Sequence, residues 1–503
     1  MSHRQPSSPH RVARSRQLGM IVLGGGVAVA LIVIVLIAWV AIRVLGVGQP
    51  APRPRTESFQ PIVTIFAPNP PPLPTSAPAA TPALEPSSAL PAAIAPSPTA
   101  PAEATPPSPT PPTLAPAVDP RGRIAGIPDF TCPKPRPAPN TFGYGIQSNW
   151  PVGDIGYWNT LMAEQLRLNW TRAKINWYEF EPQRGAPNLQ QFQLLDAFMG
   201  DANQKGLNVV LTITQPPEWT RRTPPRNPGQ RPSPPEDYRE GERFFGLIAA
   251  RYKGCVQAIE VLNETNLDRE WVIASGVLRA ADYVEFLRAV VPTLRQIDPA
   301  LVIIMAAPSP TGANIPGAVQ DDFDYLQDFV RAGGLALVDC IGVHLNGYNM
   351  PPDKRWDEGF DDPSARFRGP FPNGGNPHHS WSFISTIEGY RRITNKPMCV
   401  TEFGWASAEN LTRKDGTPIT SAAPGFEFAL DNTEREQGEW IVRGFQILRN
   451  LGYVRFGIVF NLDFIQKIGQ NPDERGGDPA LYSIIRQDGS PRPAFEMLRD
   501  MPR

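Results

Sequence analysis

The sequence predicts an α/β fold, a (β/α)8 TIM barrel, preceded by a single N-terminal transmembrane helix and a disordered proline-rich linker. Three observations predict it. Short apolar, β-branched runs alternate with amphipathic helical patterns from residue 139 to residue 503, the signature of parallel βαβ units. Eight such runs occur, as a closed barrel requires. The first run, in GYGIQSNW, is not followed by the GxGxxG turn that a doubly wound nucleotide-binding sheet favours.

The elements follow in order. Residues 1–18 form a short basic tail with Arg4, Arg11, Arg14 and Arg16 and no acid. Residues 19–42 carry no charge, and the apolar segment is taken as 19–45. A membrane-spanning helix needs about 20 apolar residues, whereas the apolar region of a cleavable signal is about 7–15 long. An uncleaved signal anchor is therefore expected. The arginines before it place the N-terminus in the cytoplasm and everything after it outside, in the cell membrane as a single-pass protein. Residues 46–138 are rich in Pro, Ala, Ser and Thr and hold about half of the 60 prolines. Such a composition buries too little apolar surface to fold and reads as an extended stalk.

Residues 139–503 carry the barrel. The candidate strands are 141–147, 169–175, 207–214, 256–263, 301–307, 339–345, 397–403 and 454–461. Helical patterns lie between them, as in 189–206 and 281–297. Asp237 and Tyr238 read as the cap of a following helix. With 48 basic and 49 acidic side chains the net charge is −1, which gives no attraction for a nucleic acid.

Catalytic groups of such a barrel sit at the C-terminal ends of its strands. The fourth strand ends on Asn263-Glu264, in VLNETNL, and the seventh on Glu402, in CVTEFGW. Arg172 lies on the second strand. His344 ends the sixth, with Tyr348 just beyond, and Trp219 follows the third. A strand tip that carries an expensive carboxylate is either solvated or built for proton transfer. Two carboxylates on one rim are what glycoside hydrolysis needs, one as proton donor and one ionised. A nearby Arg172 favours ionisation of its neighbour and pushes the two carboxyl groups apart in acidity.

On these residues the domain resembles the clan A glycoside hydrolases, the retaining (β/α)8 group that includes families 5 and 39. NETNLDREW (263–271) is similar to their NEPNLxxEW segment, WYEFEPQRG (177–185) to the motif after strand two, and YSIIRQDGSPRPAFEML (482–498) to the closing segment. The resemblance covers nearly all of 139–503. It implies Glu264 as acid/base, Glu402 as nucleophile, Asn263 on the sugar 2-hydroxyl, Arg172 orienting and ionising Glu402, and His344 and Tyr348 lining the site. Two departures stand out. The usual proline after the acid/base is Thr265. The tryptophan often supplied by strand eight is replaced in VFNLDF, where Phe460 offers a ring, and Trp405 and Trp219 are further candidates for sugar contact.

No metal and no cofactor are expected. The five histidines include no HExxH, and His378-His379 lie in a glycine-proline loop. Cys132, Cys255, Cys340 and Cys399 form no CxxC, and an exported domain permits disulfides. Cys132–Cys255 is the pairing expected, and Cys340 and Cys399 fall on neighbouring strands. The function expected is that of a membrane-anchored, monomeric extracellular β-glycosidase acting on a poly- or oligosaccharide. The alternative is a carbohydrate-binding or scaffolding protein on a catalytically inactive barrel.

Overall fold

The computed structural model describes residues 119, 121–148, 150, 153–221, 234–271, 277–358 and 378–503. The expected anchor and nearly all of the linker lie outside the described residues. No helix among the described residues is long and apolar enough to cross a membrane.

Eight parallel strands close into a barrel in sequence order. They are β1 (Gly143–Gln147), β2 (Trp170–Asn176), β3 (Asn208–Thr214), β4 (Ala258–Val261), β5 (Val302–Met305), β6 (Cys340–Gly347), β7 (Met398–Trp405) and β8 (Val454–Val459). β1 pairs with β8 as well as β2, which closes the ring. The principal helix after each strand is, in turn, α1 (Ile155–Thr160), α2 (Leu189–Gln204), α3 (Tyr238–Arg251), α4 (Ala280–Ile297), α5 (Asp322–Arg331), α6 (Phe383–Ile393), α7 (Glu434–Asn450) and α8 (Pro493–Asp500). Each sequence-predicted strand is present. The main differences are at β4, β5 and β8, which each end two residues early, at Val261, Met305 and Val459.

Local chemistry starts the helices. Asp237 caps α3 through the Arg239 amide, as its position predicts. Thr433 and Glu436 form a reciprocal capping box on α7. The apolar faces of the helices pack on the outward side chains of the strands in one continuous core.

The barrel interior is layered. Trp170, Val210, Ala258, Val302, Cys340, Cys399 and Phe456 fill its N-terminal end. Trp170 stacks on Phe456 with ring centroids 4.6 Å apart. Gly143 makes room for that pair, since a Cβ there would lie 2.4 Å from the Trp170 ring and 2.7 Å from Phe456. Two residues further along β2, β3, β4 and β7 the inward side chains turn polar, as Arg172, Thr212, Glu260 and Thr401, and that step builds the site.

Both disulfides form. Cys340–Cys399 joins β6 to β7 inside the barrel, and Cys132–Cys255 is the expected pair. The second one corrects the domain boundary. Residues 121–138 are not linker but a strap on the barrel base, where Arg136 bonds the Asn203 and Leu207 carbonyls and the Asn208 side chain. Cys132–Cys255 spans 123 residues of chain. Closing a loop of that size removes on the order of 4–5 kcal/mol of unfolded-state entropy. Cys132→Ser/Cys255→Ser is accordingly expected to lose up to about that much stability. Chemical denaturation checks this, and an unchanged midpoint would show that the strap contributes nothing.

Candidate active site

The polar layer is organised around Arg172 and Glu260. Both side chains are fully buried and paired at 2.8 Å. Glu260 Oε2 accepts from Arg172 Nη2 and Nε and from the Thr212 hydroxyl at 2.7 Å. Its Oε1 accepts from the Thr401 hydroxyl at 2.8 Å and the Ala307 amide at 3.2 Å. Burial pushes the Glu260 carboxyl up, but Arg172, then His344 and the two hydroxyls, hold it below its ordinary value. Arg172 spends its remaining donors upward. Nη1 donates to Gln147 Oε1 at 2.7 Å and pairs with Glu402, and Nη2 reaches Asn263 Oδ1 at 3.0 Å. One guanidinium thus fixes two of the sequence-predicted site residues.

Glu402 reaches this layer through a register shift. β6 pairs Val343 with Val400 and then His344 with Glu402, skipping Thr401. An extra residue in a strand re-aims the side chains after it. Thr401 and Glu402, though consecutive, therefore both reach Arg172 or its partner inside the barrel.

At β4 the chain leaves the sheet abruptly. Leu262 has φ 71° and Glu264 has φ 43°, left-handed conformations that neither residue type favours. Such strain persists where the surroundings over-determine it and clusters at functional sites. Here the Leu262 amide bonds the Ile213 carbonyl, and the Glu264 amide bonds the Ala307 carbonyl, both at 3.1 Å. Thr265, standing where proline was expected, is fully buried, and its hydroxyl accepts from Tyr325 at 2.9 Å. The Asn266 side chain bonds the backbone of Ser309 and Gln320.

His344 links the two terminal carboxylates. Its Nδ1 lies 3.1 Å from Glu264 Oε1 and its Nε2 lies 3.8 Å from Glu402 Oε1. Burial pushes the imidazole down, but Glu402, Glu264 and Glu260 outweigh it and raise its pKa. Glu264 has a second partner. Arg269 Nη2 donates to its Oε2 at 2.6 Å from a side chain that is 65% exposed. Burial pushes the Glu264 carboxyl up, yet Arg269 and His344 prevail and hold it well below the usual carboxylate range. The ligand-free surroundings of Glu264 thus favour its charged form. The reason is Arg269, whose reach back to Glu264 follows from the turn after β4.

The aromatic candidates divide. Trp405 is a correction. It is completely buried, donates its indole N–H to the Met350 carbonyl at 2.9 Å, and packs among Phe383, Phe403 and Trp440. It has no face to offer a ligand. Gly347 accommodates it, since a Cβ there would lie 1.9 Å from the indole nitrogen. Trp219 is half-buried, its indole N–H bonded to the Glu181 carbonyl at 2.9 Å and its ring edge-on to Trp177. Tyr348 is half-buried with its ring against Phe428. Burial, then the charges of Asp322 and Glu264, push its phenol up, which places it within electrical reach of the site. Phe460 is half-buried beside Tyr482, 5.6 Å between centroids.

Sequence reasoning passed over Glu260, Gln147, Arg269 and Tyr482. Glu260 carried a legible signal, a charged residue within an otherwise apolar strand and two residues after the inward Ala258. The phenol of Tyr482 is pushed up by burial, then by Tyr348, Asp478 and Glu402, so it stands at the same rim. Nothing in a single sequence brings it there.

No protein-family model matches the chain, and no curated protein does. Solved structures do. A family 39 glycoside hydrolase from the gut symbiont Bacteroides cellulosilyticus aligns at 17% identity and TM-score 0.48 over 72% of this chain and 63% of that one. A family 128 endo-β-1,3-glucanase from Sorangium cellulosum aligns at 16% identity and TM-score 0.42 over 72% of this chain and 99% of that one. An exo-β-1,4-mannosidase from an Opitutaceae bacterium aligns at 16% identity and TM-score 0.43 over 72% of this chain and 59% of that one. The chain thus spans less than two thirds of the first and third. The barrel assignment rests on the strand pairing itself.

Proposed function

We propose that the barrel is a retaining β-glycosidase, held on the outer side of a membrane by the segment 19–45 and the proline-rich stalk. The observation that carries this reading is the single imidazole of His344 beside both Glu264 and Glu402, while of these two carboxylates Arg172 pairs with Glu402. A shared imidazole keeps the carboxylates close, as a double displacement requires; retaining enzymes hold them about 5–5.5 Å apart. Glu402, aimed by Arg172, attacks the anomeric carbon. Glu264 gives its proton to the departing glycosidic oxygen, and a glycosyl ester on Glu402 results. Glu264 then takes a proton from water, which attacks the ester and releases the sugar with its configuration retained. Asn263, fixed by Arg172, is placed to grip the sugar hydroxyl next to the reacting carbon. Tyr348, Phe460 and Trp219 are the ring contacts of the cleft. An activated 2-deoxy-2-fluoro glycoside panel tests the reading by mass spectrometry. A covalent adduct on Glu402 supports it, and an adduct elsewhere overturns the assignment.

Arg269 sets the pH dependence. Glu264 must hold a proton to act first, and Arg269 and His344 oppose this in the ligand-free site. Arg269→Gln removes the larger of the two attractions, so the pKa of Glu264 rises. The basic limb of kcat/KM, which reports the acid, is expected to move to higher pH. A basic limb that stays in place would remove Glu264 from the proton-donor role.

One observation favours the second reading, a glycan-binding barrel that does not cut. The Arg269–Glu264 pair leaves the donor ionised at rest. Tight binding of an unmodified β-glycan with no adduct and no cleavage would select it.

A further inference from the structure

A second cluster of donor atoms stands outside the carboxylate pair, where the β5–α5 loop meets the segment entering α6. Asp321 precedes α5 and caps it, its Oδ1 accepting from the Phe323 and Asp324 amides at 3.0 and 3.3 Å. Its other oxygen is left over. Asp321 is 8% exposed, and its Oδ2 is buried with no hydrogen-bond partner among the described residues. A buried carboxylate oxygen with nothing to accept from is costly and calls for an explanation. Its near neighbour is His378 Nε2, at 3.4 Å.

His379 is held in place from two sides. Its ring stacks on Phe323 with centroids 3.5 Å apart and planes 6° apart. Its Nε2 lies 2.8 Å from Asp322 Oδ1, a fully buried carboxylate. That leaves Nδ1 as the nitrogen open to an ion. His378 is oriented through its own Nδ1, which lies 3.1 Å from the Ser380 hydroxyl and accepts from the Ser380 amide at 3.2 Å. Gly312 closes behind the His378 ring, where a Cβ would lie 2.7 Å from Nδ1. Donor atoms of Asp321, His378 and His379 all lie within 4.8 Å of one another.

We propose that Asp321, His378 and His379 form a binding site for a divalent ion of the zinc class, which clasps the β5–α5 loop to the segment entering α6. Two imidazoles and one carboxylate are the donor set that Zn2+ and Co2+ accept, with one position left for water. The second nitrogen of a metal-bound histidine is commonly held by a carboxylate, and Asp322 stands in that place for His379. Without an ion, His378 carries its proton on Nε2, facing Asp321. With an ion at Nε2 that proton sits on Nδ1, where the Ser380 hydroxyl accepts it and the Ser380 amide gives up its bond to the ring. The cluster escapes a spacing search because Asp321 lies far from the histidine pair in sequence.

The full-length protein in detergent, stripped with a chelator and dialysed, is titrated with Zn2+ by calorimetry and with Co2+ by visible absorption. One ion per chain is expected, together with a higher Tm. His378→Gln and Asp321→Asn, the latter keeping the cap oxygen, are expected to abolish that binding. Asp322→Asn is expected to weaken it about 10–100-fold. Equal Tm values for all four proteins in chelator show that the variants fold. Absence of binding by the wild type overturns the proposal. So does binding that is unchanged in His378→Gln and Asp321→Asn, which would place the ion on another histidine.

Discussion

Glu402→Gln is expected to lower kcat by about 10⁴-fold or more, the scale seen when a covalent nucleophile is removed. It is also expected to abolish labelling by 2-deoxy-2-fluoro glycosides. Glutamine keeps the size of the side chain and its place beside Arg172 but cannot form the glycosyl ester. Glu264→Gln is expected to cost about 10²–10⁴-fold on substrates whose leaving group needs a proton. It should cost far less on a dinitrophenyl glycoside, whose leaving group does not. Steady-state rates on a phenyl and a dinitrophenyl glycoside of the sugar that labels the wild type make the comparison. Equal losses on both substrates would contradict the proton-donor role, and an unaffected Glu402→Gln would contradict the double displacement altogether.

Arg172→Met is expected to destabilise the barrel by about 3–5 kcal/mol, the usual cost of removing one partner of a buried ion pair. Arg172 and Glu260 are both fully buried, and Glu260 would keep only the Thr212 and Thr401 hydroxyls and the Ala307 amide. The pH dependence identifies the cause. In the wild type the folded-state pKa of Glu260 lies below its ordinary value. Its contribution to stability is therefore present above the unfolded-state pKa and is lost as pH falls. Without Arg172, burial dominates and raises the folded-state pKa above the unfolded one. The contribution of Glu260 then inverts, and stability falls as pH rises through the carboxylate range. Denaturant midpoints of both proteins from pH 4 to pH 8 test the inversion. Parallel curves would show that Arg172 acts through packing alone.

The catalytic candidates were legible because a barrel places function at its strand ends, and Asn263, Glu264, Glu402 and His344 are polar exactions on otherwise apolar runs. Arg172 was legible for the same reason, as a charge inside a strand. Their mutual arrangement was not. The skipped Thr401 turns Glu402 inward, and the left-handed Leu262 and Glu264 swing the donor across to His344. Both depend on which carbonyls and amides the neighbouring strands present. Trp405 shows the same limit from the other side. An aromatic three residues past a catalytic carboxylate looks like a sugar platform, and only the packing of Phe383, Phe403 and Trp440 shows that it faces the helices.

The sequence by itself determined the class of fold, the strand order and the residue types on the rim, since these follow from local periodicity and composition. Tertiary structure alone decided the placing of His344 between Glu264 and Glu402, the strap over the barrel base and the meeting of Asp321 with His378 and His379. Each of these joins groups far apart in the chain, and electrostatic and coordination energies depend on distance in space, which periodicity along a chain does not encode.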